Sequence, residues 1–109
     1  MATPLPKKTV RGSTSGIAIM AVFDLLGRKW SMRILWELRS TPRSFRELQA
    51  QCDAMSPSVL NTRIKQLSEA KLINKCTNGY QLTDLGVSLM ETLDPLREWA
   101  NNWEESLKA

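Results

Sequence analysis

Apolar residues recur along this chain at a helical spacing, except in one short stretch where the period drops to two, and the breaks in that pattern mark out its parts. Residues 1–16 are Pro, Ser, Thr, Gly and basic residues with no apolar period, the composition of a disordered arm. Residues 17–26 are nearly all apolar and predict a short helix that must be covered on more than one side. Gly27 ends it, and 31–39 predicts a second helix with Ile34, Leu35 and Leu38 on one face and Trp30 or Trp36 at its margins. Ser40-Thr41-Pro42-Arg43 then breaks the chain. Ser44-Phe45-Arg46-Glu47 has the form of a capping box, in which Ser44 and Glu47 satisfy each other's free amides, and it opens a helix over 45–51 with Phe45 and Leu48 inward.

After a four-residue connector the next helix spans 56–69. Ser56 is suited to accept from the free amides of a first turn, and Pro57 has the fixed φ that suits the first helical position. Leu60, Ile64 and Leu67 fall at i, i+4 and i+7 and form one apolar stripe. The opposite side carries Ser58, Thr62, Lys65, Gln66 and Glu69, with Asn61 and Val59 at its edges: short, polar and rich in donors. A helix of this size fits the DNA major groove, where such side chains reach base edges. Two helices joined by so short a turn, the second with the polar outward face, predict a helix-turn-helix over about 44–69.

Past Lys71 the alternation over 72–77, the pair Asn78-Gly79 and the alternation over 80–83 predict a β-hairpin with a two-residue turn at Asn-Gly. A hairpin directly after a recognition helix is a wing, here 72–83. With a two-residue turn, Ile73, Lys75, Tyr80 and Leu82 share a face, and Lys75 stands at the edge of the buried side. Thr83 or Asp84 then caps a last helix over 84–107, in which Leu85, Leu89, Leu93, Leu96, Ala100, Trp103 and Leu107 follow the helical period. Pro95 inside that pattern predicts a kink, or a restart capped by Asp94. A helix of about 22 residues is about 33 Å long, more than a domain of this size covers by itself. Its stripe, with Trp99 beside it, predicts that Leu89, Leu93, Leu96, Trp99 and Trp103 meet Ile17, Met20 and Phe23 of the first helix across a homodimer interface.

Composition narrows the possible chemistry. The 109 residues make one domain, 17–109 after the arm, mainly α with a small β-hairpin wing. The net charge is only +4, but residues 1–75 hold 13 of the 15 basic residues against five acids, whereas 76–109 hold two against six. A basic body with an acidic last helix fits a polyanion at one end and a different contact at the other. There is no histidine, which removes imidazole catalysis and the commonest metal ligand. Cys52 and Cys76 do not make a disulfide framework, nor a zinc site without histidine, so no metal or cofactor is expected. A reducing cytoplasm is the simplest setting. The longest apolar run is too short to span a bilayer and contains Asp24, so no membrane segment is expected. No nucleophile–base pair or phosphate loop is present, which leaves an enzyme as the weakest reading.

The sequence resembles the HxlR-type winged helix-turn-helix transcription regulators, relatives of the MarR group. The likeness rests on Leu26-Gly27-Arg28-Lys29-Trp30, Ile34-Leu35-Trp36-Glu37-Leu38 and Arg43-Ser44-Phe45-Arg46-Glu47-Leu48. It continues through the run from Met55 to Leu67, then Lys71-Leu72-Ile73, the run from Tyr80 to Gly86, and Leu96-Arg97-Glu98-Trp99. The resemblance implies a bacterial or archaeal homodimer on a near-palindromic operator, with the first and last helices forming the dimer and one recognition helix per subunit in the major groove. It places Ser56, Ser58, Asn61, Thr62 and Lys65 toward the groove and sets Arg43, Ser44 and Arg46 against phosphates. The wing, with Lys75 and Asn78, approaches the flanking backbone. Two departures stand out. Many members carry an oxidant-sensing cysteine near the start of the first helix, where this chain has none, and the wing here is shorter and less basic than usual.

Individual residues allow competing roles. Asn61 suits a bidentate contact to adenine and Lys65 a contact to guanine or phosphate. Arg63 lies nearer the buried side, where an ion pair with Glu47 or another acid competes with a phosphate contact. The other function classes are a winged-helix module that docks an acidic protein through the same polar face, and a redox-responsive regulator using Cys52 or Cys76. The second would need a thiol whose pKa is lowered by a neighbouring base.

Overall fold

The computed structural model of the chain describes residues 3–6 and 17–108. Its elements run α1 (Ala18–Gly27), α2 (Ser31–Glu37), α3 (Phe45–Gln51), α4 (Pro57–Glu69), β1 (Ile73–Cys76), β2 (Gly79–Leu82) and α5 (Asp84–Leu107). The core lies where α2, α3, α4 and the start of the hairpin converge. Ile34, Leu35, Leu48, Leu60 and Leu67 are wholly enclosed there, with Leu25 of α1 and Ile73 of β1 closing the cluster. This is a mainly helical winged helix-turn-helix, and the apolar stripes of its helices supply most of the core.

Side-chain caps set the helix starts. The Ser44 hydroxyl accepts from the Glu47 amide at 3.1 Å, and the Glu47 carboxylate accepts from the Ser44 amide at 2.9 Å, completing the capping box. These backbone and side-chain hydrogen bonds from Ser44 hold the Glu47 carboxyl below its ordinary pKa. Ser56 accepts from the Val59 amide at 3.3 Å, and Thr83 accepts from Gly86 at 3.0 Å. Between α3 and α4 the chain reverses through Asp53 and Ala54, both left-handed at φ 57° and 55°. The turn is tied by Ala54 N donating to Gln49 O and by Gln49 Nε2 donating to Met55 O, each at 2.9 Å.

The hairpin differs from expectation in its turn. Cys76 pairs with Gly79, so the two-residue loop is Thr77-Asn78 rather than Asn78-Gly79. The cause lies on the far edge of β2, where Tyr80 exchanges backbone hydrogen bonds with Arg43 at 2.8 and 3.0 Å, adding a third extended row. Gly79 faces that row at φ 139°, and a Cβ there would stand 2.2 Å from the Arg43 carbonyl oxygen. Moving the loop by one residue changes the pairing by two, so the faces are unaltered: Ile73 pairs with Leu82 and Lys75 with Tyr80.

The last helix is continuous over its 24 residues, with Pro95 inside it and no restart at Asp94. At 1.5 Å per residue it is about 36 Å long. Its first turn is seated on the body, since a Cβ on Gly86 would lie 2.1 Å from the Leu72 carbonyl oxygen. Leu89 and Met90 pack against the core, but Leu96, Trp99 and Trp103 are more than half exposed. Ile17 and Phe23 on α1 are likewise exposed.

Part of the expected disordered arm is placed differently. Of residues 1–16, those numbered 3–6 are seated on the body, whereas 1–2 and 7–16 lie outside the described residues. The buried Thr3 hydroxyl donates to the Glu69 carboxylate, and Pro4, Leu5 and Pro6 border a cavity of about 330 Å³ between α1 and α5. The apolar proline and leucine side chains give these residues something to bury.

Candidate nucleic-acid interface

The polar row of α4 stands free of the body. Ser56, Ser58, Asn61, Thr62 and Lys65 are all exposed, while Leu60, Ile64 and Leu67 anchor the opposite side in the core. Two hydroxyls on this row are partly committed. Ser56 uses a lone pair in its cap but keeps its O–H to donate, and Thr62 donates to the Ser58 carbonyl at 3.0 Å but keeps its lone pairs to accept. Asn61 and Lys65 carry the unencumbered amide and ammonium groups of the row. Together they present donors and acceptors along one straight helix edge, which is what base-edge readout requires.

Gln66 does not belong to this row. Expected outward, it is buried, with its Oε1 accepting from Arg63 Nη1 at 3.1 Å and its Nε2 lacking a partner among the described residues. The turn between α1 and α2 is attached on that flank of α4. Arg63 explains the attachment, because its Nε donates to the Lys29 carbonyl at 2.7 Å. Its guanidinium meets neutral acceptors rather than the acid partner the sequence allowed. Burial, and then the nearby charge of Arg28, push its pKa down.

At the start of the helix-turn-helix the two arginines part company. Arg46 is exposed on the first turn of α3, close to Ser44, whose hydroxyl is engaged with Glu47 in the capping box. Arg43 turns inward: its Nε donates to the Glu37 carbonyl at 2.8 Å and its Nη2 lies 3.9 Å from the Glu37 carboxylate. The backbone bridge to Tyr80 places its side chain over the end of α2, away from the surface where a phosphate was expected. Glu37 also accepts from Arg33 Nε at 2.9 Å, and Arg33 Nη2 donates to the Gln51 carbonyl at 2.7 Å. A polar chain therefore ties the end of α3 and the wing to α2. On the wing, Lys75 and Asn78 are exposed.

Cys52 is wholly enclosed in the core, and burial pushes its thiol pKa up. That disfavours the thiolate on which reactivity depends. Among the described residues no cluster of His, Cys, Asp or Glu could hold a metal ion, and no helix is long and apolar enough to cross a membrane.

Of the residues expected at a dimer interface, Ile17, Phe23, Leu96, Trp99 and Trp103 are open, and Trp99 and Trp103 stack with ring centroids 5.9 Å apart. Met20 and Leu93 are half-buried, and Leu89 already packs on its own core. Four contacts left no mark in the sequence analysis. Asp24 and Arg28 pair at 3.4 Å inside the protein, an i,i+4 spacing that could have been noticed. Trp36 has the Arg39 guanidinium 3.6 Å and that of Arg97 4.7 Å from its ring centroid. The Arg63–Lys29 contact spans 34 residues of sequence and left no local signal.

Comparison with known proteins extends this geometry. The family model for the HxlR-like helix-turn-helix matches residues 25–108. An HTH-type transcriptional regulator of Methanocaldococcus jannaschii, MJ0925, is 28% identical over 91 residues, covering 80% of this chain and 86% of its own. The crystal structure of quinone-bound YodB from Bacillus subtilis superposes with a TM-score of 0.72 at 26% identity, over 77% of this chain and 96% of that one. A MarR-family regulator structure from Enterococcus faecalis V583 shares the fold, with a TM-score of 0.73 at 21% identity over 81% and 86% of the two chains.

Proposed function

The chain belongs to the HxlR-like helix-turn-helix family and is a DNA-binding transcription regulator, not an enzyme; from that premise we propose that it acts as a homodimer on a near-palindromic operator. In this reading α4 enters the major groove and Ser56, Ser58, Asn61, Thr62 and Lys65 face the bases. Ser44 and Arg46 bind phosphate at the start of α3, and Lys75 and Asn78 approach the flanking backbone. Arg43 and Arg63, which the resemblance and the charge pattern also offered, act as internal struts. The division of labour follows α3–β2 as the DNA-facing part (44–69 and the 72–83 wing) and 84–107 as the dimerising helix.

One observation carries this proposal: α4 is clamped by three core leucine and isoleucine side chains while its polar row is left wholly open. The exposed indoles of Trp99 and Trp103, in line with Leu96 on a helix that outruns the body, supply the reason for a second copy. A contiguous apolar row of that size on an isolated surface is unfavourable unless covered. An enclosed, pKa-raised Cys52 speaks against a thiol switch at that residue. The test is a gel-shift titration with the duplex upstream of the protein's own gene and a scrambled duplex of equal length. The proposal expects markedly tighter binding to the first, and equal binding to both removes the sequence-specific role.

A further inference from the structure

We infer that Lys29 is a further DNA contact, its ammonium binding a backbone phosphate at the wall of the groove that α4 enters. The inference rests on α4 being the groove-facing helix. The major groove is about 12 Å wide and a helix with its side chains about 10–12 Å across, so whatever is fixed to the flank of a groove-bound helix lies at the phosphate wall. The turn that carries Lys29 is fixed to that flank directly, by Arg63 Nε donating to the Lys29 carbonyl at 2.7 Å. Arg63, and the buried Gln66 that accepts from it, border the outward Thr62 on the helix.

The turn is rigid. Trp30 is left-handed at φ 77°, and the amides of Ser31 and Ile34 donate to the carbonyls of Arg28 and Trp30 at 3.1 and 3.0 Å. The Lys29 side chain itself is exposed, and its ammonium rests 5.8 Å from the Trp30 ring centroid. No carboxylate of the described residues lies within ion-pair distance of it. Arg28 is its neighbour in sequence and close enough to Arg63 to act on its charge, so the turn and the α4 flank it joins are basic. An exposed ammonium with no carboxylate partner, held by its own backbone to the recognition helix, matches a phosphate contact. Nothing about it matches base reading, so its effect is independent of sequence.

The experiment measures binding of the full-length protein to arbitrary-sequence duplexes of about three helical turns, by fluorescence anisotropy across a salt series. For Lys29→Gln we expect the same fold-loss on every duplex, and a plot of log affinity against log salt shallower by about 0.9 per Lys29 engaged. Lys29→Arg, which keeps the charge, retains the wild-type slope. Lys108→Gln, at the far end of α5, removes an equal charge and leaves the slope unchanged. A Lys29→Gln slope equal to wild type, or a loss that depends on duplex sequence, overturns the assignment. Wild-type protein that binds no duplex overturns the reading of α4 itself, and the Lys29 contact falls with it.

Discussion

Gly79 and Arg43 meet backbone to backbone: the position a Cβ would take on Gly79 is 2.2 Å from the Arg43 carbonyl oxygen. That contact joins the wing to the chain entering the helix-turn-helix, and it is the reason Gly79 sits in a strand rather than at the turn. Gly79→Ala must both adopt φ 139° and displace the Arg43–Ser44 backbone. We expect a loss of about 2 kcal/mol or more in urea unfolding, and accelerated amide exchange at Tyr80. Wild-type stability in the variant would show that the row beside β2 does not hold the wing.

The capping box makes a pH prediction. The Glu47 carboxyl has its pKa lowered in the folded state by hydrogen bonds from Ser44, so its contribution to stability is present above its unfolded value. It is lost as pH falls through the folded value. Glu47→Gln accepts from the Ser44 amide without the carboxylate's charge, so the variant should be less stable than wild type at neutral pH, approach it as pH falls, and lack part of the acid-side decline. Superimposable acid limbs in thermal melts of the two proteins would contradict this.

Asn61 and Arg46 should separate by kind of contact. Asn61→Ala is expected to cost about 1–3 kcal/mol on the cognate operator and to relax base preference at one position, with the salt slope unchanged. Arg46→Gln should weaken binding to all duplexes alike and flatten the salt slope by about 0.9 per contact. A base-selection experiment combined with salt titration reads both, and exchanged behaviours would reverse the two roles.

The apolar row on α5 predicts that Trp99→Glu yields a monomer. Trp99 is 59% exposed, so the substitution leaves the winged body folded. Sedimentation velocity should show two-chain mass for wild type and one-chain mass for the variant, together with loss of tight operator binding. A variant that sediments as wild type does would remove Trp99 from the interface.

Local chemistry was legible in the sequence wherever it depended on neighbours. The Ser44/Glu47 box, the Ser56-Pro57 start and the Leu60, Ile64 and Leu67 stripe all depend on spacings within one helical turn or two, and the structure shows each in place. What escaped is non-local. Gln66 is polar and wheel-exposed, but it is buried and bound to Arg63, which reaches a turn more than 30 residues earlier at Lys29. The loop slid from Asn78-Gly79 to Thr77-Asn78 because Arg43, distant in sequence, needed a strand neighbour with no side chain. Arg43 itself looked like a surface cation, yet the same bridge turned it toward Glu37.

Footprinting on the DNA upstream of the protein's own gene tests the central claim most directly. Two recognition helices related by a dimer axis should protect an inverted repeat whose half-site centres lie about one helical turn apart, roughly 34–36 Å. A single unpaired half-site, or uniform protection with no repeat, would contradict α4 acting in pairs on DNA.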